Sequence, residues 1–420
     1  MFRRMFKGVF LVAFFLLSSR NFQFLSEELV HQIEGVWICA LTLVVLFKIS
    51  SSFLAGKTSL EKTDVYALFV VLYFPTASAF MANLDWGQPL WYGFSAMRRF
   101  FLAFCPLLML QLLRKKKISV NEIKKALLFL SWLQLFSFVY AALFQDSAAM
   151  QTTAAKGNLI KLPTFFLAVG FFYYANSSVA QIFLRKKILY AFYSLLYLAV
   201  IAVLFKGRIL FFSVIAAWGA IFFMRRLSFE KKMVWVSVSL IFLMVIVSVL
   251  FLAFGPYLAQ EISSFSAASA EAIKVVVTGQ EASDGSANIR LREVSYMIQS
   301  TKHWLLGNGA IHYNWTGFKG SFPPWFFPSD IGWFGLIYLH GLIGLILLHW
   351  QFLLAWRWRR FEGTAAEEVF FSTCRAMVLF CFFYSMVTGL ISVMPANTLI
   401  FVFLMQYMAK GRRSTDLRPA

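Results

Sequence analysis

The chain has 420 residues, of which 60% are hydrophobic, 19% aromatic and 14% charged, and its mean hydropathy is +0.71. Soluble domains run at about 45–50% apolar and about 25% charged residues, and a water-soluble particle of this size cannot hide such an excess, so a soluble enzyme is excluded. The net charge of +20, from 39 Lys and Arg against 19 Asp and Glu, would point a soluble chain toward nucleic acid. Here the basic residues flank apolar segments, where they act as topology signals, which argues against DNA or RNA as a partner.

In chain order, Met1 to Lys7 is basic and Gly8 to Leu17 apolar, which mimics a signal peptide. Ser18-Ser19-Arg20-Asn21 lacks a small-x-small cleavage site, so the segment is expected to stay as a first membrane helix. At 1.5 Å per residue, membrane-spanning windows fall near 8–25, 33–53, 64–82, 94–113, 126–145, 159–175, 188–205, 208–224, 233–254, 331–350, 369–391 and 395–409. The expected fold is all-α, a polytopic membrane protein of about twelve helices. The basic clusters around Arg3/Arg4, Lys57/Lys62, Arg114 to Lys117, Arg185 to Lys187, Arg225/Arg226, Arg357 to Arg360 and Lys410 to Arg413 all fall on alternate connections. The positive-inside rule makes that side cytoplasmic, with both termini inside.

On the opposite side one connection is long. The chain therefore divides into helices one to nine over 1–254, a large outer loop over 255–328, and helices ten to twelve with the C-terminus over 329–420. Within the loop, Asn288 to Trp304 reads as a helix with Ile289, Val294, Met297 and Ile298 on its apolar positions, ended by Gly307-Asn308-Gly309. Cys39, Cys105, Cys374 and Cys381 lie in apolar stretches without metal-ligand spacing, so neither a disulfide framework nor a zinc site is expected. No acidic pair suited to a metal stands in the outer segments, and no metal or cofactor is expected.

A charge at membrane depth costs from about 2.5 kcal/mol upward and needs a reason. Arg98, Arg99 and Lys161 stand at outer helix ends, where snorkelling to headgroups competes with a binding role. Lys206-Gly207-Arg208 fills a tight turn on the face that disfavours basic residues, which points to a functional cation. Arg290 and Arg292 open the loop helix, and residues two apart cannot face the same way, so one of them is expected to face a site. Converging guanidinium groups suit a phosphate or pyrophosphate. Asp330 begins a late membrane helix, as a cap or as a working carboxylate. His303 and His312 have the intrinsic pKa of a general base, whereas His340 and His349 lie inside a helix and read as structural. The aromatics bordering the loop, Trp304, Tyr313, Trp315 and Trp325 among them, suit an interfacial belt or stacking on sugars.

The order of these features resembles the O-antigen ligase and O-antigen polymerase superfamily of bacterial inner-membrane glycosyltransferases. Leu204-Phe-Lys-Gly-Arg208-Ile-Leu210 looks like its short outer Gly-Arg turn. Arg290-Leu-Arg292 followed by Trp304-Leu-Leu-Gly307-Asn-Gly309 looks like its large periplasmic loop, and Ser329-Asp330-Ile-Gly332 with Leu339-His-Gly341-Leu-Ile-Gly344 looks like the start of the next helix. The likeness covers about residues 188–350 in detail and the whole chain in helix count. It implies a C-type glycosyltransferase fold without a cofactor, a glycan donor on undecaprenyl pyrophosphate, a glycan acceptor on a second lipid-linked unit, and room for a chain-length regulator as a further partner. In that frame Arg208, Arg290, Arg292 and Asp330 are the expected catalytic residues, and Lys206, Arg98, Arg99, His303, His312 and Trp304 the expected substrate contacts. Ligases typically carry a His-Asn pair where this chain has Ser329-Asp330. The resemblance thus tilts toward a polymerase or exopolysaccharide enzyme, with Asp330 in place of a histidine base. A ligase and a lipid-linked sugar flippase are the alternatives, the latter disfavoured by the single long outer loop, which sits late in the chain with no earlier counterpart, whereas transporters more often show matched halves with broken helices and no such loop.

Overall fold

The computed structural model describes residues 2–18, 27–54, 61–144, 165–204, 208–224, 237, 285–317, 323, 325–358, 361, 363–389 and 395–416. It is all-helical, with no strand among these residues. In chain order the helices are α1 (Phe2–Ser18), α2 (Glu27–Leu54), α3 (Lys62–Trp86), α4 (Leu90–Ala96), a 3-10 segment (Arg98–Ala103) running into α5 (Phe104–Arg114), and α6 (Val120–Phe144). There follow α7 (Phe165–Ala180), α8 (Leu184–Ala199) with a π-helical extension (Val200–Leu204), α9 (Arg208–Met224), α10 (Gly285–Ser300), a 3-10 turn (Pro328–Asp330), α11 (Gly332–Arg357), α12 (Ala365–Val387) and α13 (Pro395–Asp416).

Local signals set several of these ends. Ser119 and Glu122 form a reciprocal box at the start of α6, with the Ser119 N–H donating to Glu122 Oε2 at 2.8 Å and the Glu122 N–H to Ser119 Oγ at 3.2 Å. Thr364 and Glu367 do the same for α12. Each box satisfies donors that the first turn leaves open.

Among the described residues four helices, α3, α6 over Val120–Tyr140, α11 and α12, are long and apolar enough to cross a membrane, and the pair Leu90–Ala96 and Arg98–Arg114, bent by 50°, makes a fifth if it is one span. The shorter apolar stretches Lys7–Ser18, Gln32–Phe47, Phe165–Ala180 and Ile209–Phe222 occupy other expected windows. A 16-residue helix such as α7 reaches about 24 Å, short of the roughly 30 Å hydrocarbon core. The window 233–254, apart from residue 237, and the first part of the loop, 255–284, lie outside the described residues.

The bundle has two chemically different ends. At the α3 N-terminus, Arg114 from the end of α5 bridges Asp64 at 2.9 Å and Glu61 at 3.1 Å, Lys410 and Gln406 of α13 also reach Glu61, and the Tyr407 hydroxyl donates to Leu113 O. Helix α11 runs antiparallel to α3: the Tyr66 hydroxyl donates to Leu347 O at 2.8 Å, while Trp86 at the far end of α3 meets the loop that covers the first half of α11. The α3 C-terminus, the start of α11 and the segment 301–315 therefore share one end.

At that end α11 is broken. Gly341 has φ 67° and ψ −177°, so the N–H groups of Leu342 and Ile343 cannot reach the carbonyls of Tyr338 and Leu339 four residues back. The segment after α10 replaces both lost bonds. Leu342 and Ile343 donate to Trp304 O (2.8 Å) and Leu305 O (3.2 Å), while Tyr338 O and Leu339 O accept from the N–H groups of Asn308 (2.7 Å) and Gly309 (3.1 Å). Irregular backbone at membrane depth persists only when protein groups satisfy it in this way. A Cβ on Gly341 would lie 2.1 Å from Leu305 O, and one on Gly309 (φ 76°) 2.4 Å from Ala82 N, so glycine is what lets strap and helix meet. The Asn308 side chain closes the strap on itself, accepting from Lys302 N (3.0 Å) and donating to Ser300 O (3.1 Å).

Candidate functional site

The loop helix expected over Asn288 to Trp304 is α10, ending four residues earlier at Ser300. Because α10 lies along the first half of α11, it divides the sequence candidates into two groups. Arg290 stands near the Asp330 end and the strap near Gly341, separated by about 15 Å of helix.

The first group surrounds Arg290, which is half-buried, and Asp330. The Glu293 carboxyl interacts electrostatically with both and is itself buried at 1% exposure. Its Oε1 accepts the Phe327 N–H at 2.9 Å, which fixes the turn Pro328–Asp330 against α10. Burial raises the Glu293 carboxyl above its ordinary 4.5; the Phe327 N–H opposes this, the Asp330 charge adds to it, and the Arg290 guanidinium opposes it. Asp330 itself is exposed. The cap reading for it is corrected here: the residue at the N-cap of α11 is Ile331, with no side-chain capping bond, and Asp330 Oδ1 accepts instead from Ser329 Oγ at 3.1 Å. Ser329 O accepts from Gly389 N at 2.7 Å, tying the turn to the end of α12.

Arg290 and Arg292 part company, as residues two apart on a helix must. Arg292 lays its guanidinium over the Trp325 ring, 4.1 Å from the centroid, and Trp325 packs edge-on against Tyr296. Arg290 is the one that shares a field with Asp330 and with Tyr384 of α12. Arg208 begins α9, and its side chain lies outside the described residues, as does Lys206.

The second group lines the strap. His303 Nε2 meets Asp85 Oδ1 at 3.0 Å, and Lys302 reaches Asp85 O and lies over the Trp86 ring. His312 Nε2 meets Ser95 Oγ at 3.2 Å, and its Nδ1 accepts from Asn314 N at 3.1 Å, so both ring nitrogens are engaged. Arg98 and Arg99 point to the buried Glu34 carboxylate at 3.7 and 3.4 Å, a pairing that explains how two adjacent arginines are held at a helix end. Trp304 is 43% exposed. His340 is buried edge-on against Phe74 and Phe100, and the His349 ring pairs with Leu345 O. The four cysteines are free thiols.

Sequence reading missed Glu293 and Asp85. The sign was available for Glu293: it is the acid three residues after Arg290 in an otherwise amphipathic helix, on the same face as that arginine. Its burial gives a stability prediction. With its pKa raised in the folded state, ionised Glu293 is disfavoured there, so its contribution to stability falls as pH rises from 4.5 through the raised value. Glu293→Gln, which keeps the oxygen for Phe327, should unfold no earlier than the parent at neutral pH and lose that pH dependence. Glu293→Ala strands the Phe327 N–H and should cost about 1–3 kcal/mol. Thermal unfolding in detergent between acid and neutral pH reads both.

Compared with known proteins, the sequence matches no protein-family model and no curated protein.

Proposed function

We propose that the protein is a membrane glycosyltransferase that polymerises undecaprenyl-pyrophosphate-linked glycan units at the outer face of a bacterial inner membrane. In this reading the chain spans the membrane about twelve times with both termini cytoplasmic, and the loop 255–328 is periplasmic. The observation that supports the site is the buried Glu293 carboxyl, one helical turn from Arg290, which accepts the Phe327 N–H at 2.9 Å and so holds the turn bearing Asp330 against α10, with Asp330 bonded to Ser329 rather than capping α11. A guanidinium fork suits the charge that grows on a leaving pyrophosphate, and a neighbouring carboxylate suits the attacking hydroxyl. The bond from the anomeric carbon to the acceptor oxygen forms as the bond to pyrophosphate breaks, with inversion. The acceptor proton passes to the exposed carboxylate of Asp330, in the turn that Glu293 holds against α10 through the Phe327 N–H. By the family resemblance, Arg208 supplies a second fork.

A deletion strain tests this reading. Accumulation of single repeat units on the lipid carrier supports a polymerase, and unattached polymer supports the ligase alternative. Arg208→Ala should abolish polymer at unchanged protein level, and Arg208→Lys should restore little, because an ammonium lacks the planar fork; wild-type polymer in the alanine variant removes Arg208 from the site. A cytoplasm-only reporter active when fused near Ser283 would overturn the topology.

The break at Gly341 gives the flippase reading one specific support, since transporters bind substrate at broken helices. New glycosidic bonds formed by the purified protein decide against it.

A further inference from the structure

The strap does more than repair α11. It runs alongside the turn between α3 and α4 in register: Asp85 meets His303, Trp86 Nε1 donates to Asn308 O (3.2 Å), and the buried Gln88 accepts from His312 N (2.7 Å) and donates to Ala310 O (3.2 Å). On this frame stands a row of rings. Trp91 stacks on Tyr92 at 3.5 Å between centroids, Tyr92 lies 5.5 Å from His312, and His312 stacks on Tyr313 at 4.8 Å. The ends of the row face outward, with Trp91 62% and Tyr313 58% exposed. At the other end of the strip, Asp85 is a buried carboxylate, its side chain 5% exposed, with Oδ2 lacking a hydrogen-bond partner. A carboxylate only accepts, so His303 Nε2 carries the hydrogen of this bond.

We propose that this strip, from Asp85 and His303 to Trp91 and Tyr313, is a glycan-binding subsite that takes sugar rings of the lipid-linked chain about 15 Å from the reacting bond. The inference rests on the glycosyltransferase reading above and adds the place where the growing chain is held. Sugars present apolar ring faces and hydroxyls that both donate and accept. Exposed aromatic faces meet the first, and the polar edge formed by Asp85 and His303 meets the second. A phospholipid headgroup fits less well, because its phosphate only accepts: the strip presents the buried Asp85 carboxylate, Lys302 is already held by Asp85 O and the Trp86 ring, and Arg98 is turned to Ser95 O and Glu34. Asp85 is a positioning residue that acts through His303.

The test uses the full chain in nanodiscs and fragments of the host's own surface polysaccharide released from the carrier, with binding read by saturation-transfer NMR and turnover read separately. Wild type should bind the fragments. Asp85→Asn and Tyr313→Ala should each weaken binding about tenfold, Trp91→Phe should keep it where Trp91→Ala does not, and the variants should raise KM for long acceptors more than they lower kcat. Fragment binding unchanged in Asp85→Asn, Trp91→Ala and Tyr313→Ala overturns the proposal and assigns the rings to the lipid interface. Fragment binding without any turnover leaves the subsite standing and sinks the polymerase reading instead, so the two failures are distinct.

Discussion

Arg290→Ala lowers the initial rate of glycan polymerisation by about 10²-fold or more, the cost typical of removing one preorganised donor from a developing negative charge. Arg292→Ala, two residues on, stays within about fivefold, because its guanidinium is spent on the Trp325 face, a contact worth about 0.5–1 kcal/mol at an exposed site. The contrast is sharp because both changes remove the same charge from the same helix, so a general loss of positive field predicts equal effects. The rate loss in Arg290→Ala should appear in kcat more than in donor KM, as expected for a group that acts on the transition state. Arg290→Lys should recover little of it. Equal losses in the two alanine variants would place the working arginine elsewhere.

Gly341→Ala prevents the protein from accumulating in a folded form. The alanine would have to hold φ 67° with ψ −177°, a region essentially reserved to glycine, at about 1–3 kcal/mol, and its Cβ would overlap Leu305 O, 2.1 Å away. The strap must then move, and the four groups it satisfies at Tyr338, Leu339, Leu342 and Ile343 are left open in surroundings where each unmet backbone group costs several kcal/mol. A loss above about 4 kcal/mol follows, in the range where single substitutions unfold a protein. Gly219→Ala in α9 is the control: nothing lies within 4 Å of its added Cβ, and helix propensity favours alanine by about 1 kcal/mol. Size-exclusion of detergent extracts reads both variants, and a monodisperse Gly341→Ala protein of normal stability would contradict the role given to the strap.

The helices were legible where one-dimensional signals are strong. Hydropathy placed α3, α6, α11 and α12, and the apolar spacing of Val294 and Met297 placed α10 in a loop otherwise rich in small and polar residues. The two glycine motifs, Gly307-Asn-Gly309 and Gly341-Leu-Ile-Gly344, were visible as separate marks. Their contact was not, because a helix break and the segment that mends it are joined by hydrogen bonds between residues some thirty apart, and no local pattern encodes such a pairing. Arg290 and Arg292 could be told apart only once Trp325 had a place. Glu293 and Asp85 went unseen because an acid on an amphipathic helix or at a helix end reads as a solvated charge, and only packing shows that these two are buried. The cap expected at Asp330 was not found: the short turn Pro328–Asp330 starts the helix one residue later, at Gly332 with Ile331 as its N-cap, and Asp330 bonds Ser329 instead.

The central claim is that Arg290 and Asp330 carry out glycosyl transfer from a lipid pyrophosphate. Purified protein in nanodiscs, given lipid-linked repeat units and no other protein, tests it most directly, with products resolved by mass spectrometry for wild type, Arg290→Ala and Asp330→Asn. The account predicts glycans of two or more repeat units from the wild type, with undecaprenyl pyrophosphate released in step. It also predicts severe loss in Asp330→Asn, whose amide cannot take a proton, with folding unchanged because no capping bond is lost. Near-normal chain growth in Asp330→Asn would contradict it, as would wild-type protein that leaves every unit single.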